Sequence, residues 1–153
     1  MGSAAAPSDF ARLDGLRLLV VEDHADSRAV LRQLLSTLGA TVDEAGDGRE
    51  ALEVLAAPRR KPDLILCDLR MPRMDGFALA KRLRRDLRWR RVPLVAVTAL
   101  TAPGDYDRTL EAGFSAHVEK PINFDLLLST IRRLLPKPTK PPAHRRPGRR
   151  RSA

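Results

Sequence analysis

Five short strand-like runs, each followed by a stretch of helical periodicity, constrain this chain more than any other feature. The runs are Arg17–Val21, Thr41–Ala45, Asp63–Cys67, Pro93–Val97 ending at Thr98, and Ala116–Val118. Near-continuous apolar composition, as in Leu18-Leu19-Val20-Val21, suits a strand covered on both faces. Between the runs, Val30, Leu31, Leu34, Leu35 and Leu38 recur at three- and four-residue steps, which predicts an amphipathic helix over Ser27–Leu38, stopped by Gly39. Gly48–Ala57 reads as a second helix, with Ala51, Leu52 and Leu55 on one face and Pro58 closing it. A third begins near Asp75, with Phe77, Leu79, Ala80 and Leu83 as its inner stripe; Tyr106, Leu110 and Phe114 belong to a fourth. Phe124, Leu127, Leu128, Ile131, Leu134 and Leu135 mark a fifth. Strands that alternate with helices predict an α/β protein, a doubly wound five-stranded parallel sheet with helices on both faces.

In such sheets ligands bind beyond the carboxyl ends of the strands. The chain places Glu22 and Asp23 after the first strand, Asp68 after the third, Thr98 after the fourth and Lys120 after the fifth. Taken singly these are a helix-start pair, a turn-forming Asp, a cap and a surface charge. Together, at successive strand ends, they define a crevice with its own chemistry. Three carboxylates held close repel one another and call for a cation, and an all-oxygen set without His or Cys suits Mg²⁺. A carboxylate attacks phosphorus to give an acyl phosphate. Mg²⁺, a Lys ammonium and a hydroxyl are suitable partners for the phosphoryl oxygens. Asp68 is then the nucleophile, Lys120 the fixed cation and Thr98 the hydroxyl ligand.

Charge and cysteine content narrow the classes further. The formal net charge is +9. Seven Lys or Arg and no acid lie in 136–153, which leaves 21 basic against 19 acidic residues elsewhere. The expected organisation is a loose lead-in over 1–14, one domain over 15–135, and a basic, Pro-rich, disordered tail over 136–153. The single Cys67 ends an apolar strand and reads as a core residue. No apolar run approaches the roughly 20 residues of a membrane span, and no signal peptide is legible, so the expected location is cytoplasmic.

Over Leu16 to Leu135 the sequence resembles the receiver domains of bacterial two-component response regulators. The residues that carry the resemblance are Glu22-Asp23, Asp68 within Asp68-x-x-Met71-Pro72-x-Met74-Asp75-Gly76, Thr98-Ala99 and Lys120-Pro121. The resemblance implies a flavodoxin-like fold with strand order 2-1-3-4-5. It implies that a sensor histidine kinase or phosphotransfer protein donates a phosphoryl group to Asp68. It also implies that Asp23, Asp68 and the backbone carbonyl of Arg70 hold Mg²⁺, that Glu22 helps through water, and that the Lys120–Pro121 bond is cis. Such a domain is a phosphoacceptor and not an enzyme beyond weak self-catalysed phosphorylation and dephosphorylation. Arg70 and Leu100, two positions past Asp68 and Thr98, are expected to tune the phosphate lifetime. One position departs from the family. Where a Tyr or Phe usually stands three residues before the Lys, this chain has His117, a ring of similar breadth at a position that switches together with Thr98.

Other classes fit less well. A phosphatase of the haloacid dehalogenase type needs a second Asp two residues after its nucleophile, and Arg70 stands there. A kinase needs a Gly-rich phosphate loop, which is missing. The alternative is a nucleic-acid or anionic-surface binder acting through the basic tail, with Lys81–Arg91 as a second basic segment. Neither stretch resembles a folded reader, and the segment reads as a solvated helix face. The expected partners therefore do not include nucleic acid. The expected output is a protein contact or a phosphorylation-dependent homodimer through the fourth helix, fifth strand and fifth helix, where Leu126, Leu127 and Leu128 cannot all face the core.

Overall fold

The computed structural model describes residues 12–57, 60–99 and 102–135. In chain order the elements are β1 (Arg17–Val21), α1 (Ala25–Thr37), β2 (Thr41–Ala45), α2 (Gly48–Ala56), β3 (Leu64–Cys67), α3 (Gly76–Arg85), β4 (Leu94–Thr98), α4 (Asp105–Ala112), β5 (Ala116–Glu119) and α5 (Phe124–Leu134). All pairings are parallel, and the sheet runs β2-β1-β3-β4-β5. This is the predicted fold and strand order.

The strand composition explains the two layers. Along β1, Leu18 and Val20 point to one face and Leu19 and Val21 to the other, as the two-residue period of a strand requires. On the first face, Leu18, Val20, Leu64, Leu66, Val95, Val97 and Val118 pack with Leu31 and Leu35 of α1 and with Leu127 and Ile131 of α5. On the second, Leu19, Ile65, Cys67 and Ala96 pack with Ala51 and Leu55 of α2 and with Leu79, Ala80 and Leu83 of α3. Each fully buried Leu contributes about 2 kcal/mol of apolar transfer to this arrangement. Cys67 is a buried core residue and burial pushes its thiol up, so its position is that of a small hydrophobe.

Local signals set the helix ends. Asp47, Asp75 and Asn123 are the N-caps of α2, α3 and α5, each accepting from the backbone N–H three residues on. Several boundaries and faces differ from the sequence reading. α1 begins at Ala25, before Ser27, because His24 takes the cap position without a side-chain bond. Val30 is 54% exposed, since the stripe through Leu31 and Leu35 already covers the sheet. Phe114 is not helical. Gly113, with φ at 111°, ends α4 and turns the chain so that Phe114 enters the core. The buried face of α4 is Asp105, Thr109 and Ala112, and Tyr106 and Leu110 face out. Polar residues can occupy that face because their groups are satisfied: Asp105 Oδ2 accepts from Ala102 N–H, and the Thr109 hydroxyl donates to the Asp105 carbonyl.

Leu13, within the expected lead-in, is buried, and its N–H donates to the Leu38 carbonyl. Pro58, Leu100, residues 1–11 and the basic tail over 136–153 lie outside the described residues.

Candidate functional site

The carboxyl ends of β1, β3, β4 and β5 meet at one edge of the sheet. β3 stops at Cys67, and the next residue, Asp68, keeps its N–H in the ladder by donating to the Val21 carbonyl at 2.9 Å. The side chain of Asp68 therefore leaves the sheet at a fixed point. Glu22 is held likewise through its N–H to Ala45, and Arg28 of α1 donates to the Glu22 carbonyl at 2.7 Å. Thr98 closes β4 and is buried, and its carbonyl accepts the Lys120 N–H at 2.9 Å. One backbone hydrogen bond thus links the two residues expected to answer a new charge at Asp68.

Lys120 bridges the site. Its Nζ lies 3.0 Å from Asp68 Oδ2 and 3.0 Å from Glu22 Oε2. Burial alone would lower this ammonium, but the hydrogen bonds it donates to Asp68 and Glu22 outweigh that and the group is held above its ordinary value. Glu22 is raised, chiefly by burial and also by the Asp68 charge, against the opposing pull of Lys120. Asp68 Oδ1 accepts from the Arg70 N–H at 3.3 Å. Asp23 is exposed, yet one oxygen each from Glu22, Asp23 and Asp68 fall within 4.8 Å of one another. Such a set of hard oxygen donors, balanced among the described residues by the Lys120 ammonium, fits a divalent cation of the Mg²⁺ class. The Lys120–Pro121 bond is cis.

Glu22, Asp23, Asp68, Arg70, Thr98 and Lys120 are all brought to this edge. Asp68, Thr98, Ala99 and Lys120 line one open cleft together with Arg70, Ala102, Asp105 and Arg108. Asp23, Arg70 and Arg108 line a neighbouring one with Met71, Pro72, Asp75 and Phe77. His117 stands apart from the carboxylates: it is half-buried on β5, its ring stacked on Tyr106 with centroids 6.1 Å apart and planes at 16°. Its Nε2 is buried without a hydrogen-bond partner.

Sequence reasoning did not anticipate the direct Glu22–Lys120 bond or the presence of Asp105 and Arg108. The usable signal for the latter was their position, since the first turn of the helix after β4 must sit over the strand end. It also missed Arg73, the only non-glycine among the described residues with positive φ (64°), whose guanidinium pairs with the buried Asp47 carboxylate. The basic segment is largely structural where it is ordered by contacts. Arg84 donates to the carbonyls of Gly113, Arg90 and Val92, Arg88 pairs with Asp86, and Trp89 is in the core beneath Lys61 and Arg88.

The family described as response regulator receiver domain matches residues 18–132. The chain belongs to this family. Among curated relatives of this receiver, the polar-differentiation response regulator DivK of Brucella anthropi is 33% identical over 118 residues, 77% of this chain and 94% of DivK. The sensor histidine kinase CheAY of Helicobacter pylori is 34% identical over 131 residues, 86% of this chain but only 16% of that kinase. A solved receiver domain of a sensor histidine kinase from Pseudomonas aeruginosa is 33% identical, with a TM-score of 0.70 over 78% of this chain and 97% of that one, and has a magnesium ion coordinated in its active-site cleft. Receiver domains are signalling phosphoacceptors that interact with histidine kinases or phosphotransfer proteins. Among the described residues no helix is long and apolar enough to cross a membrane.

Proposed function

We propose that Asp68 is the phosphoacceptor of this receiver and that its phosphorylation switches a protein contact on the face formed by α4, β5 and α5. The observation that carries the reading is the placement of Asp68 at a strand end, within reach of two further carboxylates and bonded at 3.0 Å to a Lys already shared with Glu22. Asp23, Asp68 and the backbone carbonyl of Arg70 would hold Mg²⁺, with Glu22 beside them. When bound, Mg²⁺ supplies charge neutralisation for the carboxylates and the transferred phosphoryl oxygens.

In the transfer, a carboxylate oxygen of Asp68 attacks phosphorus in line. The bond from phosphorus to the donor atom breaks as the Asp68 O–P bond forms, and the leaving group departs with the electron pair. The donor is a histidine kinase or phosphotransfer protein, or in vitro a small acyl phosphate. Lys120 exchanges a carboxylate oxygen of Asp68 for a phosphoryl oxygen, and the Thr98 hydroxyl turns toward the same group. Because the Lys120 N–H is bonded to the Thr98 carbonyl, the two strand ends move together and carry the change to α4 and α5. The outer surface there has Tyr106 stacked on His117, with Leu110 and Leu126 exposed at 41% and 53%. This is an apolar surface next to the switch, suited to a downstream partner or a second copy of the chain.

Intact mass after treatment with acetyl phosphate and Mg²⁺ tests the assignment. The parent gains one phosphoryl group and Asp68→Asn gains none; equal gain by both overturns it. Sedimentation and pull-down with and without beryllofluoride test the output. An assembly state and partner set unchanged by the mimic would remove the α4-β5-α5 face from the account.

A further inference from the structure

Two clefts flank Asp68, and among the described residues only two line both: Arg70, two positions after Asp68 in the chain, and Arg108, which comes from the first turns of α4. We propose that Arg108 is a phosphoryl-reading arginine, whose guanidinium moves onto the oxygens of the group transferred to Asp68 and makes α4 a direct sensor of that charge. The proposal rests on Asp68 being the phosphoacceptor and adds a residue to its site.

Three observations support it. First, Arg108 is loosely held where it now lies. Its side chain is 66% exposed, its Cζ sits 5.0 Å over the Phe77 ring, and its nearest carboxylate, Asp105 Oδ1, is 4.0 Å away. Asp105 is anchored elsewhere, its Oδ2 accepting from the Ala102 N–H, and that bond does not depend on Arg108. An exposed pair at that distance and an exposed cation over a ring are both weak and readily exchanged.

Second, the site is short of positive charge once a phosphoryl group arrives. Among the described residues, Glu22, Asp23 and Asp68 face a single ammonium, Lys120, which already bonds two of them. A bound divalent cation balances that set; phosphorylation then replaces the single charge of the Asp68 carboxylate by about two on the acyl phosphate, a net gain of about one negative charge. Arg70 and Arg108 are the cations lining the cleft with Lys120, while Asp75 and Asp105 are further acids facing the two clefts.

Third, the guanidinium is the right shape. Its parallel N–H groups match two oxygens of one phosphoryl group, which a second Lys would meet only as a point charge. Arg108 also shares its helix with the outward Tyr106 and Leu110, so a pull on Arg108 is a pull on the proposed output surface.

The test compares the parent with Arg108→Gln, Arg108→Lys, and Arg108→Met, which keeps the contact with Phe77, and with Arg82→Gln as an exposed arginine outside both clefts. Beryllofluoride affinity at saturating Mg²⁺, Mg²⁺ affinity itself, melting temperature and the rate of phosphoryl gain from acetyl phosphate are measured for each. The expected result is a loss of about five- to tenfold in beryllofluoride affinity for Arg108→Gln and Arg108→Met, as for one lost charge-assisted contact, with partial recovery in Arg108→Lys. The acetyl phosphate rate falls in parallel, Mg²⁺ affinity does not fall, and Arg82→Gln matches the parent. Unchanged mimic affinity in Arg108→Gln and Arg108→Met overturns the proposal, as does a loss accompanied by weaker Mg²⁺ binding and a lower melting temperature. A parent that takes no phosphoryl group would instead overturn the phosphoacceptor reading beneath it.

Discussion

Replacing Gly76 by Ala should damage both stability and phosphorylation, although alanine is the better helix former. Gly76 opens α3 without a left-handed φ, so conformational freedom is not what the position needs. It needs space. A Cβ there would lie 2.3 Å from the Asp68 carbonyl oxygen, 2.9 Å from Leu69 Cα and 3.2 Å from the Asp68 carbonyl carbon. All three are backbone, so no side chain can rotate away. Ordinary contact begins near 3.4 Å, and relief requires the start of α3 and the end of β3 to separate by about 1 Å. That movement strains the Gly76 N–H bond to the Leu69 carbonyl at 3.0 Å. Overpacking of this kind costs about 1–3 kcal/mol, and the weakened hydrogen bond about 1 more; the helix-propensity gain of about 1 kcal/mol offsets part. A net loss of about 1–3 kcal/mol is expected, or roughly 4 °C in melting temperature for each kcal/mol. Phosphorylation should suffer more, because a displacement of about 1 Å at a reacting group costs on the order of a hundredfold in rate. Thermal melts and the rate of phosphoryl gain from acetyl phosphate measure the two effects. Gly46→Ala is the control, since its nearest obstacle is the movable Glu50 carboxylate at 3.1 Å. A Gly76→Ala protein that melts and reacts like the parent would refute the steric reasoning.

Three further outcomes are expected. Mg²⁺ at about 100 times its dissociation constant should add roughly 2.7 kcal/mol to stability, and Asp23→Asn should lose most of that gain; equal shifts in melting temperature would remove Asp23 from the metal set. Lys120 has a folded-state pKa above its ordinary 10.5, so the stabilisation from its pairing is complete below that pH and lost as pH rises through the higher folded value. Lys120→Met should therefore show a shallower alkaline loss of stability than the parent in denaturant titrations across pH 9 to about 12. Arg84→Met removes donors to three carbonyls at 2.7–2.9 Å and should cost about 2–3 kcal/mol in urea unfolding while leaving Mg²⁺ affinity intact.

The middle of the sheet was legible because β1, β3 and β4 are buried on both faces and carry no competing period: Leu18–Val21 and Leu64–Cys67 read as strands before any contact is known. The site was legible for a related reason. Each polar residue directly ends an apolar run, so Asp68 and Thr98 are placed by the sheet itself, and Lys120 by one more residue of β5. What could not be read were features that depend on how a helix rotates over the sheet. The fourfold spacing of Tyr106, Leu110 and Phe114 suggested a common helix, yet the left-handed turn at Gly113 splits Phe114 from the others. Asp105 and Thr109 are polar residues on the buried face of α4, a placement that rests on hydrogen bonds no spacing reveals. Arg108 and Arg73 were hidden in the same way, because the meaning of each guanidinium lies in a partner from another element: Phe77 for one and Asp47 for the other.

The central claim is that the carboxylate of Asp68, and no other, takes the phosphoryl group. Borohydride reduction of the protein after treatment with acetyl phosphate and Mg²⁺ tests it without any mutation, because an aspartyl phosphate is an acyl phosphate and is reduced to homoserine. Peptide sequencing by mass spectrometry should then find homoserine at position 68, dependent on both donor and Mg²⁺, with Asp23 and Asp75 unaltered. Homoserine at another aspartate, or none at position 68 in protein that has gained a phosphoryl group, would contradict the account.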